Sequence, residues 1–173
     1  CRRGFKAMFG EELVPIAGGM VNETEVEYRC SMVERAVKRL VGIVRGHGIK
    51  VGAYAFPNGR TARVQVFQDW PLFSKHLDFV LPMYYDSHSL QELSVLVPRH
   101  RELAACPIIP GVIAIPEPFV TAGRGSTAFV VAALSIIREA GCEGFFIFNY
   151  ETLFRRPPGE RLGKIIRAPH PPE

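Results

Sequence analysis

Four short apolar runs, each ended by turn-forming or polar residues, alternate along this chain with longer segments of helical periodicity. No other feature narrows the possible folds as much. The runs are Ile49–Phe56, Leu77–Tyr84, Pro107–Ala114 and Gly144–Asn149. Each has the length of a strand and is too short for a stable helix. Pro57-Asn58-Gly59 closes the first with turn chemistry, and Pro110-Gly111 within the third marks a bulge or a close backbone approach. Between the runs lie helical patterns. Thr24 is expected to cap a helix reaching Arg45, with Val26, Cys30, Val33, Val37, Leu40, Val41 and Val44 on one stripe. Asp69 and Pro71 start a short helix after a loop over 60–68. Ser89 caps a segment to Ala104, and Ser126 or Thr127 caps another to Ala140. A weaker helix is expected over 160–166.

Strands that alternate with helices pair in parallel, joined by right-handed crossovers. The runs are apolar on both faces, as parallel strands between covered faces must be. The fold class is therefore α/β. Four units make either a small open sheet or half of an eight-stranded barrel, which needs about 250 residues. The chain has 173 and opens on Cys1, so the expectation is a partial (β/α)8 TIM barrel of about four C-terminal βα units. Residues 1–166 form that half and 167–173 a Pro-rich tail.

Composition excludes several functions. A hydrophobic share of 47% with 22% charged residues is that of a globular domain. The net charge of +4 comes from scattered Arg and Lys, which reads as a solvated surface and not as a nucleic-acid footprint. The four cysteines form no Cys-x-x-Cys pair and have no His at ligand spacing, so no metal and no cofactor is expected. Nothing is long and apolar enough to cross a bilayer. No His stands beside a Ser or Cys in a nucleophile pattern, and no Gly-rich phosphate loop follows a strand.

The chemistry gathers in two neighbouring stretches, Gln68-Asp69-Trp70 and Tyr84-Tyr85-Asp86. The second follows the end of a strand, which in a parallel barrel is where ligands are handled. Sugars stack their C–H faces on Trp or Tyr and bond their hydroxyls to Asp, Asn or Gln. Asp69 and Asp86 are thus the candidate catalytic carboxylates. Gln68, Trp70, Tyr84, Tyr85, Asn58 and Asn149 are the candidate binding residues. Each has a plainer reading. Asp69 is also a suitable helix cap, Trp70 is also a core residue, and Asn149 also caps a loop. Asp78 starts its strand, at the structural end of a barrel.

In order, the chain carries Tyr28-Arg29, Ala55-Phe56-Pro57-Asn58, Gln68-Asp69-Trp70, Asp78-Phe79-Val80-Leu81-Pro82-Met83-Tyr84-Tyr85, Ile109-Pro110-Gly111 and Ala140-Gly141-Cys142-Glu143-Gly144-Phe145, ending Phe148-Asn149-Tyr150. This series resembles the glycoside-hydrolase-like family 10 barrels of YngK-like and YddW-like bacterial proteins. It departs from them at Tyr28, where a Trp is common, and at Ala114-Ile115-Pro116 after the third strand. The resemblance implies a C-terminal barrel half, separated from a strand that carries an Asp-Tyr-x-Arg-Tyr-Pro-like motif. It implies action on a bacterial polysaccharide, with peptidoglycan glycan strands as a candidate, and an extracytoplasmic or lipoprotein setting. Without the other half, the fragment is expected to be inactive. Two rivals stay open: a carbohydrate-binding barrel without turnover, and another barrel enzyme such as an aldolase or isomerase.

Overall fold

The computed structural model of the chain describes residues 22–57, 59–85, 89–114 and 126–148, with isolated positions 3, 6 and 7. Its elements are α1 (Glu23–Arg45), β1 (Gly52–Ala55), α2 (Gly59–Gln65), α3 (Trp70–Ser74), β2 (Phe79–Tyr84), α4 (Leu90–Leu103), β3 (Gly111–Ile113), α5 (Thr127–Glu139) and β4 (Phe146–Phe148).

Local chemistry sets most helix starts. Asn22, not Thr24, caps α1: its side chain accepts from the Glu25 amide at 3.3 Å. Asp69 caps α3 through the Leu72 amide. Ser89 and Glu92 form a reciprocal capping box on α4, and Ser126 caps α5. Gly48 and Gly141 follow α1 and α5 with φ of 72° and 70°, left-handed conformations that only glycine adopts without strain. The span expected to be a loop after β1 holds a helix, α2, whose Ala62 is fully buried. That contact, invisible to a turn-based reading, stabilises the helical turn there. The helix expected over 160–166 lies outside the described residues.

The four strands form one parallel sheet in the order β1-β2-β3-β4. They are shorter than the apolar runs. Within Pro107–Ala114 regular pairing starts only at Gly111, preceded by a single parallel bridge between Val80 and Ile108. Proline lacks the amide that a ladder needs, which delays pairing across Pro107 and Pro110.

The two sheet faces differ. Alternate residues Val80, Pro82 and Tyr84 of β2 are buried, with Ala55 and Val112 from the neighbouring strands. They pack against Trp70, Phe73, Leu93, Val97, Val130, Ala133 and Ile137 of the helices in one apolar core. The other face carries Gly52, Tyr54, Phe79, Leu81, Met83, Gly111, Ile113, Phe146 and Phe148, set side by side by the registers Tyr54↔Leu81, Met83↔Gly111↔Phe146 and Ile113↔Phe148. Tyr54 is 56% exposed there and Phe148 46%. An α/β sheet with helices on one face and an apolar second face is compatible with part of a βα-repeat fold.

Candidate functional site

Gln68, Asp69, Trp70, Tyr84 and Tyr85 all sit near the C-terminal ends of β1 and β2, so the two stretches do meet at one end of the sheet. Asn58, Asp86 and Asn149 lie outside the described residues.

Within that group, most polar atoms are engaged by the fold. The amide of Gln68 pins the end of β1: its Oε1 accepts from Phe56 N at 2.9 Å, and its Nε2 donates to Tyr54 O at 3.0 Å. The residue before it, Phe67, holds a left-handed φ of 57°, a strained conformation for an aromatic residue. Arg29 lies 5.0 Å over its ring, a cation–π geometry. Asp69 accepts from Leu72 N and from Arg63 Nε at 3.1 Å. Arg63 reaches across to Glu23 as well, and these two acids hold its guanidinium more firmly protonated than usual, the Glu23 hydrogen bond being the larger cause.

Trp70 is 3% exposed. Its Nε1 donates to Phe56 O at 3.1 Å, and its ring lies 4.6 Å from the ring of His100. Tyr84 is fully buried, its ring nearly parallel to that of His100 with centroids 5.7 Å apart, and its hydroxyl lies 2.5 Å from His100 Nδ1. Burial pushes the Tyr84 phenol far above its ordinary range. Trp70, His100 and Tyr84 therefore form a ring cluster between sheet and helices. Neither ring lies on the open face; both side chains point from the sheet's end toward the helical layer.

Tyr85 is placed differently. Its ring stacks on Phe148 at 5.2 Å and 29°, and meets Phe146 edge-on at 6.4 Å. Tyr54 packs edge-on to Phe146 at 5.6 Å. Four aromatic rings thus gather on the open face toward the C-terminal ends of the strands. Burial raises the Tyr85 phenol, with Tyr54 adding to the effect, so it is a neutral hydrogen-bonding group at neutral pH. Tyr54, Phe146 and Phe148 were not among the sequence candidates. The signal was present in the period-two spacings Gly52-Tyr54-Phe56 and Phe146-Phe148, once one face is separated from the other.

Another residue missed from sequence is Glu25, in the first turn of α1. It is 1% exposed, its Oε1 accepts from Arg29 Nε and Nη2, and its Oε2 has no hydrogen-bond partner among the described residues. At the opposite end of the sheet, a cavity of about 300 Å³ opens beside Arg101, Cys106, Ile108, Cys142 and Glu143. Burial pushes the Cys106 thiol up to about 11 and raises Cys142 too, so both are protonated and poor nucleophiles. Asp78, also at that end, accepts from Val51 N at 2.7 Å and Arg45 at 2.9 Å, a structural clamp between β1, β2 and α1.

Among the described residues, no cluster of three or more His, Cys, Asp or Glu could hold a metal ion, and no helix is long and apolar enough to cross a membrane. No protein-family model matches the chain, and no curated protein matches it significantly.

Proposed function

We propose that this chain is half of a (β/α)8 barrel that handles a bacterial polysaccharide at the C-terminal ends of its strands, in the manner of the glycoside-hydrolase-like family 10 barrels. One observation carries the reading: the Tyr85–Phe148 stack, flanked by Tyr54 and Phe146, on the sheet face away from the described helices, toward the C-terminal ends of parallel strands. Aromatic rings presented there suit the C–H face of a sugar, and a parallel sheet gathers its ligand groups at this end. In the complete protein, hydrolysis would need two carboxyl groups, one as acid and one as nucleophile or base. Asp69 and Asp86 are this half's candidates.

A second reading, glycan binding without turnover, is favoured by Asp69 itself. Its carboxylate is engaged both by a helix amide and by Arg63, which is what a structural cap requires. The two readings separate experimentally. Peptidoglycan and soluble glycan fragments are offered to the complete protein and to its Tyr85→Ala, Asp69→Asn and Asp86→Asn variants, with affinity and hydrolysis measured in parallel. Loss of affinity by tenfold or more in Tyr85→Ala supports the sugar platform. A drop in turnover with retained affinity in either Asp variant supports hydrolysis, since Asn keeps the shape and removes the charge. Glycan affinity untouched by Tyr85→Ala would refute the platform.

A further inference from the structure

One end of the β1 edge is closed by a side chain. In a parallel sheet the N–H and C=O of one residue point to the same edge, and those of the next residue to the opposite edge. Val80 of β2 uses both groups on the β3 side, donating to Pro107 O at 2.9 Å and accepting from Ile109 N at 2.8 Å. Phe79 and Leu81 therefore turn to β1. The registers Gly52↔Phe79 and Tyr54↔Leu81 then give them Val51, Ala53 and Ala55 as ladder partners. Val51 faces β2 accordingly, with its O accepting from Asp78 N at 2.9 Å. Gly52, Tyr54 and Phe56 consequently point their backbone groups away from β2. Among the described strands β1 has no second neighbour, so these groups lie on a sheet edge.

A parallel strand added to that edge would bond in steps of two residues. One of its residues would donate to Gly52 O and accept from Tyr54 N. The residue two further on would donate to Tyr54 O and accept from Phe56 N. That second pair is already taken. Gln68 Nε2 donates to Tyr54 O at 3.0 Å, and Gln68 Oε1 accepts from Phe56 N at 2.9 Å. A side-chain amide offers the same donor and acceptor as a peptide group, so Gln68 stands where that residue would stand. Trp70 Nε1 takes Phe56 O as well, at 3.1 Å. The Phe56 amide has a single N–H, so it has nothing left for a neighbouring strand. Gln68 is itself fixed: its N–H donates to Ala62 O at 2.9 Å, and Phe67 before it holds the left-handed φ of 57°. Such a conformation persists only where the surrounding structure imposes it.

We propose that Gln68 is a positioning residue that ends the ladder between β1 and the strand preceding it in the complete barrel. This rests on the barrel-half reading above, which gives β1 a parallel neighbour from the rest of the same protein. That neighbour pairs with β1 through Gly52 O and Tyr54 N and turns away at the next step. The stop lies at the C-terminal end of β1, so the two strands part at the mouth. The described seams run on instead, β1 with β2 as far as Ala55 and β3 with β4 as far as Ile113. The gap before β1 opens beside Tyr54, whose ring is half exposed and packs edge-on to Phe146 of the aromatic platform. A glycan strand laid across the platform leaves the mouth through this gap. Gln68 thus sets the path of the polymer without touching it.

Nitrogen–carbonyl couplings across hydrogen bonds, read by NMR on the perdeuterated complete protein, test this, because each coupling reports one donor and one acceptor. The Phe56 amide is expected to couple to the side-chain carbonyl of Gln68, and the Tyr54 amide to a backbone carbonyl of the preceding strand. Gln68→Met keeps the length of the side chain and removes both bonds. In that variant the Phe56 amide is expected to couple to a backbone carbonyl of the preceding strand, as the ladder runs on and the gap closes. Glycan affinity should then fall by about tenfold or more, with the circular dichroism unchanged. A wild-type Phe56 amide coupled to a backbone carbonyl would overturn the ladder stop and leave the barrel reading standing; this result does not depend on the variant folding. A folded Gln68→Met with unchanged glycan affinity would also overturn the proposal. So would one whose Phe56 amide finds no carbonyl, since the strand then turns away for another reason. A Tyr54 amide with no carbonyl partner in the complete protein would instead overturn the barrel reading, and the seam with it.

Discussion

Gly52→Ala tests whether the open face is locked or soft. An alanine Cβ at this position would sit 2.0, 2.4 and 2.6 Å from three ring carbons of Phe79. Favourable carbon contacts lie at about 3.5–4.0 Å, so the ring must retreat by roughly 1.5 Å or rotate out of its place. Overpacking of this kind costs about 1–3 kcal/mol. Alanine gives some of that back by restricting the unfolded chain, about 0.4–1 kcal/mol, because Gly52 does not use the left-handed region. The net expectation is a loss of about 1–2 kcal/mol. For a chain of this size that lowers Tm by about 2–4 °C per kcal/mol. Urea denaturation at one fixed protein concentration reads the change in midpoint, and the cycle is completed by Phe79→Ala and the double variant. Removing the ring removes the clash, so the double variant should be about 1–2 kcal/mol more stable than the sum of the singles predicts. Wild-type stability in Gly52→Ala, or additivity within about 0.3 kcal/mol, would show that the ring moves aside freely.

Two further outcomes are expected. Arg29→Ala leaves the buried Glu25 carboxylate without its guanidinium; because Arg29 is itself partly in water, the loss should fall below the about 3–5 kcal/mol of a fully buried pair, near 2 kcal/mol, and Glu25→Leu in the same background should recover most of it. Thermal melts of the three proteins decide this, and an unchanged Arg29→Ala would place the carboxylate in solvent contact. Asp78 is held below the ordinary carboxylate range by the Val51 amide first and by Arg45 second, so its contribution is complete above the unfolded-state value and is lost as pH falls through its lower folded value. Wild type should therefore lose stability toward Asp78→Asn as pH drops below about 4, and parallel pH profiles of the two would contradict the clamp.

The parallel, sequential sheet was legible because periodicity and apolar runs report directly on backbone pairing and burial. Strand limits were not, since the prolines at 107 and 110 interrupt pairing inside a run that hydrophobicity alone presents as continuous. α2 was missed because its stabilising contact, Ala62 in the core, is tertiary. The site was only half legible. Sequence placed Tyr85 and Trp70 at the right end of the sheet, but the face each occupies depends on a single step of register and on which side the helices cover. Tyr85 turns to the aromatic cluster, whereas Trp70 turns inward onto His100. Glu25 looked like any acidic residue of a helical first turn, and nothing local distinguishes a buried glutamate from a solvated one.

The strand order carries a consequence for how the chain acquires its shape. Partners Gly52 and Phe79 are 27 residues apart, Met83 and Gly111 are 28, and Gly111 and Phe146 are 35, so every pairing joins neighbours in sequence. Within the four described strands no pairing waits for a distant part of the chain, and the entropy of closing loops of similar length is similar at each step. A nascent chain can therefore dock β1 on β2, held by Asp78 against the Val51 amide, while β4 is still unsynthesised. Growth by successive addition leaves one unsatisfied edge advancing with the chain, and that edge is the surface on which misassembly during synthesis would begin.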